Sequence, residues 1–262
     1  MDFDRIVKIV EDRTGIAITG ARLTRIRRLF EKSPDLFLGL ESMPFQHENW
    51  QKVIDSLSVQ ETYFFRDVEV FDCVRKEILR ELSKRFPSEG LKIWSAGCAT
   101  GEETYTLAIV VLEYLKSLGF SFESIKDKVF ILGTDISQRG IQRAREGLYK
   151  NIPMGSFRNF PEEFMKYLEP YGEGYRVTKE VRQITRFEVH NLLDSKPPIQ
   201  DADLVVCRNV LIYFHDASKK RAYTNLVQAL KKGGYLIMGP LENPGMGLEK
   251  RQCGRLVYYM KP

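Results

Sequence analysis

Residues 91–118 constrain the fold of this chain more than any other stretch. A β-type run, Leu91 to Trp94, stops at small residues and passes through Gly97-Cys98-Ala99-Thr100-Gly101. It then continues as a run that reads as helix from Glu102 to Leu118. Strand, glycine turn and helix in that order is how an α/β sheet presents backbone N–H groups and a positive helix end to a ligand. The turn is not GxGxxG, so a dinucleotide site is poorly supported, and many α/β proteins carry such a turn for packing alone. A nucleoside-type ligand and a packing turn both stay open on this stretch by itself.

The alternation repeats downstream. Strands are predicted at Val129–Gly133, Arg186–His190, Leu204–Cys207, Tyr235–Met238 and Leu256–Met260, and helices at Ser137–Glu146 and Ala217–Leu230. Ser137 and Asp216 suit N-caps, and Gly147 and Gly233 suit helix stops. Such alternation implies an α/β fold with a mostly parallel, doubly wound sheet. The last piece, 234–260, holds two strands and no long helix, which a terminal antiparallel strand explains. The interval 151–185 breaks the pattern. A short helix at Pro161–Leu168, a turn into a strand at Gly172–Thr178 and a following strand at Val181–Thr185 read as a small antiparallel insertion.

Residues 1–75 read as helical. Phe3, Ile6, Val7 and Val10 share a face, Thr14-Gly15 breaks the helix, and 21–30 is a second amphipathic stretch. Leu23, Ile26 and Phe30 lie on one side of it, and Arg22, Arg25 and Arg28 on another. Further helices are predicted at Asn49–Ser56 and Val68–Arg85. The expected organisation is a helical domain over 1–75 and an α/β domain over 76–262, with an inserted β-subdomain at about 153–185.

Composition excludes several classes. The longest apolar run, Leu107 to Leu112, is far short of the ~20 residues of a membrane helix. The charged N-terminus has no signal-peptide core, so a cytoplasmic protein without membrane insertion is expected. The four cysteines form no CxxC pair, which argues against zinc and against a disulfide framework, and three histidines without ligand spacing offer no metal site. A net charge of +5 is too mild to identify a nucleic-acid binder.

Three further segments carry candidate chemistry. Asp135 ends the second strand, where a carboxylate can accept hydrogen bonds from ribose hydroxyls; a helix N-cap is the bland reading. Cys207-Arg208-Asn209-Val210-Leu211-Ile212-Tyr213-Phe214 runs an apolar strand into polar residues at its carboxyl end, where open α/β sheets hold ligands; a buried aromatic segment is the bland reading. Thr62-Tyr63-Phe64-Phe65-Arg66-Asp67 by itself reads best as domain packing beside an exposed ion pair.

Together these segments resemble the chemotaxis receptor methyltransferases of the CheR type. That family carries Thr-x-Phe-Phe-Arg, Ser-Ala-Gly-Cys-x-Thr-Gly-Glu-Glu, Ser/Thr-Asp-Ile and Cys-Arg-Asn-x-x-Ile-Tyr-Phe in this order, and Asn191-Leu192-Leu193 matches a fifth segment. The resemblance runs from about Gln60 to Gly239. It implies an N-terminal helical domain, a Rossmann-like class I S-adenosylmethionine domain and an inserted β-subdomain. It also implies transfer of the methyl group of S-adenosylmethionine to glutamate carboxylates on the cytoplasmic helices of chemoreceptors, giving methyl esters and S-adenosylhomocysteine. Carried over by position, Thr62 and Arg66 lie near the methionine end, with Gly97 and Glu103 from the turn and helix start. Asp135 lies on the ribose, Asn191 and Leu192 by the adenine, and Arg208 and Asn209 beside the cofactor. Tyr213 lies near the methyl group. Gln60 stands where the family usually has Asn. Arg66 and Tyr213 are the expected catalytic pair. Arg22, Arg25 and Arg28 could meet acidic receptor helices; phosphate binding or a solvated helix face would use the same residues. A receptor peptide could dock by strand addition at Gly172–Val177.

The chemistry fits these residues. A glutamate carboxylate, with a reference pKa near 4.3, is already ionised at pH 7, so methyl transfer to it needs no general base. The segment 33–48 and Gly239-Pro240-Leu241-Glu242 depart from the family pattern. Two alternatives are a nucleic-acid methyltransferase, whose Asp/Asn-Pro-Pro-Tyr/Phe signature is missing after the fourth strand, and a non-catalytic module that keeps the fold. No nucleic-acid partner is expected, and the chain is expected to act as a monomer.

Overall fold

A computed structural model describes residues 2–58, 61–240 and 242–262. The chain opens with three amphipathic helices: α1 (Phe3–Thr14), α2 (Gly20–Lys32) and α3 (Glu48–Leu57). Their apolar faces meet in a core containing Ile6, Val10, Ile26, Phe37, Trp50 and Ile54. A helical rod, α4 (68–82), follows, and its middle turns, Val74–Leu79, are π-helical.

The strand–turn–helix unit forms β1 (Leu91–Ala96) and α5 (Glu102–Ser117). Only Lys92 of β1 is exposed, as a strand covered on both faces requires. The chain continues through β2 (Val129–Asp135), α6 (Gln138–Glu146) and β3 (Leu148–Lys150). Then come β4 (Leu168–Tyr171), β5 (Gly174–Val177), β6 (Thr185–Val189) and β7 (Ala202–Cys207). The last elements are α7 (Asp216–Ala229), β8 (Leu230–Met238), β9 (Glu249–Cys253) and β10 (Leu256–Met260). The large sheet has the order β6-β2-β1-β7-β8-β10-β9. Strands β6 to β8 are parallel, and β10 runs antiparallel to β8 and β9. Strand order reverses on either side of β1, which opens a crevice at the carboxyl ends of β1, β2 and β7. A separate antiparallel sheet, β3-β5-β4, begins at Leu148, earlier than the expected 153.

Ser137 caps α6, its hydroxyl accepting from the Gly140 N–H at 3.0 Å. Several other expectations fail for local reasons. Val181–Thr185 is not a strand: Lys179–Gln183 is helical, and Val181 and Ile184, three residues apart, are both buried. Gly233 does not stop α7. It lies within β8, and the Lys261 ammonium donates to the carbonyls of Val227 and Leu230 at the helix end. His215, not Asp216, occupies the N-cap position of α7. The sequence Glu249-Lys250-Arg251-Gln252-Cys253 forms an edge strand without apolar alternation, which hid it. The expected lack of disulfides also fails: Cys73 and Cys253, 180 residues apart, are bonded and tie α4 to the sheet edge. Sequence spacing carried no sign of this, because helix and edge strand meet only in the fold. Gly174 to Val177 forms the central strand of the small sheet and is paired on both sides, so strand addition cannot occur there. The outer strands of that sheet are β3 and β4.

Candidate active site

The turn after β1 is built inward. Gly97 N–H and Cys98 N–H both donate to the Thr134 carbonyl, at 2.7 and 2.8 Å, and Ala99 N–H donates to Asp135 Oδ2 at 2.9 Å. The turn therefore spends these donors on β2 and does not offer them to an anion. Gly97 has φ +79°, and a Cβ there would stand 2.3 Å from Cγ2 of Val210. The residue is glycine because β1 and the segment after β7 meet at this point.

Asp135 accepts from Ala99 N–H and, through Oδ1, from Ser137 N–H at 2.9 Å. Each oxygen keeps a lone pair for a further donor such as a sugar hydroxyl. Burial pushes its carboxyl above the usual range, and the backbone hydrogen bonds pull the other way. Glu103 accepts from the Ser95 hydroxyl at 2.9 Å and pairs with Arg208 Nη1 at 3.3 Å. Its carboxyl is also raised, by burial first, against the pull of Arg208. Arg208, with a side chain only 5% exposed, is held on three sides. Its guanidinium reaches Glu103, the Asp67 carboxylate and the Arg66 carbonyl at 3.2 Å.

A single crevice brings these groups together. Its walls include Thr62, Arg66, Gly97, Glu103, Asp135, Asn191, Leu192, Arg208, Asn209, Tyr213 and Arg22. Gln60 lies outside the described residues. Arg66 donates to the Glu61 carbonyl at 2.9 Å and has no carboxylate partner among the described residues. The Arg22 guanidinium lies 4.4 Å from the centre of the Tyr213 ring, and its Nε donates to the Leu57 carbonyl. Arg25 and Arg28 do not join them: both are exposed, because each three-residue step around a helix turns back by about 60°. Asn191 is more constrained than expected. Its amide donates to the Arg13 carbonyl at 2.8 Å and accepts from Leu193 N–H at 3.0 Å. That side chain joins the N-terminal helices to the crevice wall.

Several wall residues were not singled out in the sequence, among them Thr14, Ile16, Phe71 and His190. Gly15, with φ +78°, was the available signal for the first two. The chain turns there, and Gly15 carbonyl accepts from His215 N–H while Ala17 N–H donates to the Tyr213 carbonyl. His190 Nδ1 faces Asp194 at 3.3 Å, and burial holds the imidazole below its usual range.

The crevice suits S-adenosylmethionine on the chemistry of its donors. Its lining offers carboxylates (Asp135, Glu103) that could take sugar hydroxyls and an ammonium, apolar side chains (Leu192, Ile136) that could flank a base, and a guanidinium outside any ion pair (Arg66) that could take a carboxylate. Comparison with known proteins agrees. The family model described as the CheR methyltransferase, SAM binding domain matches residues 60–252. The chain is 31% identical over 249 residues to chemotaxis protein methyltransferase 1 of Pseudomonas aeruginosa, covering 92% of this chain and 89% of that protein. It is 36% identical over 197 residues to the chemotaxis protein methyltransferase of Borreliella burgdorferi, covering 73% of this chain and 67% of that protein. With the family model matched over residues 60–252 and these relatives over most of its length, the chain belongs to the CheR family of S-adenosylmethionine-dependent methyltransferases.

Proposed function

We propose that this chain transfers the methyl group of S-adenosylmethionine to glutamate side-chain carboxylates on the cytoplasmic helices of chemoreceptors. The observation that carries this reading is Arg66. It lines the same crevice as Tyr213, and no carboxylate among the described residues is in ion-pair contact with it, Glu103 feeling its charge only from farther off. A guanidinium so placed can receive a carboxylate in a paired geometry. The cofactor supplies an electrophilic methyl group on a sulfonium. The acceptor oxygen needs no deprotonation, so the protein's task is positioning, where effective molarity can reach ~10⁵ M or more. Tyr213, pinned by Arg22, lines the site as a positioning group. His190 is a poor candidate for a base acting there. It follows β6, three strands from β7 and so about 14 Å across the sheet from the Arg208–Tyr213 segment.

Arg22 is the residue of α2 that reaches the crevice, so a receptor helix would approach past it, with Arg25 and Arg28 farther out. The reading also keeps a helical domain and an α/β domain, acting as a cytoplasmic monomer, but the expected 75/76 division falls inside α4 (68–82), whose Phe71, Val74 and Ile78 pack in the α/β core. A receptor tail peptide, if one docks on the small sheet, would add to β3 or β4. No described helix is long and apolar enough to cross a membrane.

The test is labelled-methyl transfer from S-adenosylmethionine to purified chemoreceptor cytoplasmic fragments, followed by mild alkali. Glutamyl methyl esters release labelled methanol; methyl groups on nitrogen do not, and their persistence would overturn the acceptor assignment. The chemical step should vary little between about pH 6 and 9.

A further inference from the structure

The mouth of the crevice has a second guanidinium behind it. Arg158, from the segment between β3 and β4, places its guanidinium carbon 3.8 Å from the centre of the Tyr63 ring. Arg66 stands 5.9 Å from the same ring centre, so Tyr63 has a cation on each of two contacts. Arg158 Nη2 pairs with Glu61 Oε1 at 3.1 Å, and the Glu61 carbonyl in turn accepts from Arg66 Nη1 at 2.9 Å. Tyr63, Glu61 and Arg66 line the crevice, and Arg158 does not. Its side chain is only 20% exposed, and its Nε is buried without a hydrogen-bond partner among the described residues. An arginine in that setting is not a solvated surface charge, because desolvating it with a donor unpaired is unfavourable unless its other contacts compensate.

The backbone that carries Arg158 is fixed to the cofactor side. Phe64 N–H donates to the Ser156 carbonyl at 2.9 Å, and the Ser156 hydroxyl donates to Glu102 Oε1 at 2.7 Å at the start of α5. Phe157 stacks on Phe64 with ring centres 5.3 Å apart. Arg158 thus projects from an anchored segment onto the two residues that bracket Arg66.

We propose that Arg158 is a positioning residue for the methyl acceptor: through Tyr63 and Glu61 it fixes the orientation of Arg66, and with it the incoming carboxylate. This rests on the carboxylate-methylating reading above. Arg158 acts through its neighbours and needs no contact with cofactor or substrate. Arginine suits the role better than lysine, because a planar guanidinium can cover an aromatic face and pair with a carboxylate at once.

The experiment compares wild type, Arg158→Met, Arg158→Lys, Glu61→Gln and the double variant Arg158→Met/Glu61→Gln. Methyl transfer is read with a receptor cytoplasmic fragment, S-adenosylmethionine affinity by calorimetry and folding by thermal melting. Arg158→Met should raise the acceptor KM about tenfold while S-adenosylmethionine affinity stays within about twofold, and Arg158→Lys should recover most of the loss. The double variant should be no worse than Arg158→Met, because both changes cut one linkage. An unchanged acceptor KM in Arg158→Met overturns the assignment. So does an equal loss of cofactor affinity and melting temperature that lysine does not restore, since that marks simple packing. If the wild type itself transfers no methyl to the receptor fragment, the acceptor reading fails and this role fails with it.

Discussion

The two halves of the crevice are built differently. The wall proposed for the cofactor comes from three adjacent strand ends, β1, β2 and β7, and the start of α5, and its side chains are locked by short contacts: Asp135 to two N–H groups, Glu103 to Ser95 and Arg208. The mouth proposed for the acceptor is assembled from α2, the 61–67 segment and the segment after β3, which are remote in sequence. Its contacts are largely guanidinium over aromatic ring, as with Arg22 on Tyr213 and Arg158 on Tyr63. Geometry in the wall is inherited from backbone pairing, whereas geometry in the mouth depends on side chains that can be changed one at a time. Damage to the wall should therefore remove cofactor binding and stability together. Damage to the mouth away from Thr62 and Arg66, which also stand toward the cofactor's methionine end, should remove acceptor use alone.

The sharpest break of this contrast is Asp135→Ala. It deletes the acceptor of two part-buried N–H groups and the carboxylate proposed for the ribose. Each orphaned buried donor costs about 1–3 kcal/mol. S-adenosylmethionine affinity should fall by at least about 100-fold in calorimetry, with a lower melting temperature in the same protein. If affinity falls without any loss of stability, wall and fold are less coupled than the hydrogen bonds indicate.

Next in size is Gly97→Ala. A left-handed φ costs a non-glycine residue about 1–2 kcal/mol, and the added methyl would collide with Val210. A total destabilisation of about 2–4 kcal/mol is expected from denaturant melts. Adding Val210→Ala should restore the part due to the collision and leave the part due to φ. No recovery in the double variant would mean that backbone strain dominates.

This contrast also explains what could be read from sequence. The alternation of Leu91–Trp94, Val129–Gly133 and Leu204–Cys207 with helices reveals the sheet, because buried parallel strands leave continuous apolar runs. Asp135 and Arg208 could be singled out because the carboxyl ends of such strands are where ligands sit, whereas Glu103, on the helix after β1, came only with the family resemblance. The mouth was harder. The Thr62–Arg66 motif marks one side, but that Arg22 and not Arg28 reaches the crevice depends on how α2 is rotated against α3. Arg158 carried no local pattern, since its partners lie about 95 residues away. The disulfide and β9 were missed for the same reason: both are settled by long-range contacts rather than by periodicity.

The same rotation of α2 gives a smaller test. Arg22→Ala removes a cation that stacks on Tyr213, a contact worth about 0.5–2 kcal/mol. The acceptor KM should rise about three- to tenfold, with S-adenosylmethionine affinity unchanged. Arg28→Ala, on an exposed face, should stay within about twofold in both. Equal effects from the two would mean that the whole basic face, and not the crevice-lining residue, meets the receptor.

The mildest test uses pH on the cofactor wall alone. Burial holds the Asp135 and Glu103 carboxyls above their ordinary values of 3.8 and 4.5. A carboxyl raised in the fold contributes stability that is fully present below its unfolded pKa and is lost as pH rises through the folded one. Above those raised values the protein carries two desolvated charges. An ammonium beside Glu103 and sugar hydroxyls on Asp135 stabilise the ionised forms, so binding lowers both pKa values and expels any proton still held. Affinity must then rise with pH through the raised range and level off above it, with a slope of at most tenfold per unit for each group. As pH falls from neutral into the raised carboxyl range the dissociation constant for S-adenosylmethionine should weaken, and calorimetry in two buffers of different ionisation enthalpy should detect proton release there. Asp135→Asn should flatten part of this dependence, whereas Arg22→Ala, on the other side of the crevice, should leave it intact. If Arg22→Ala alters the pH profile as strongly as Asp135→Asn does, wall and mouth are one electrostatic unit and the distinction between them fails.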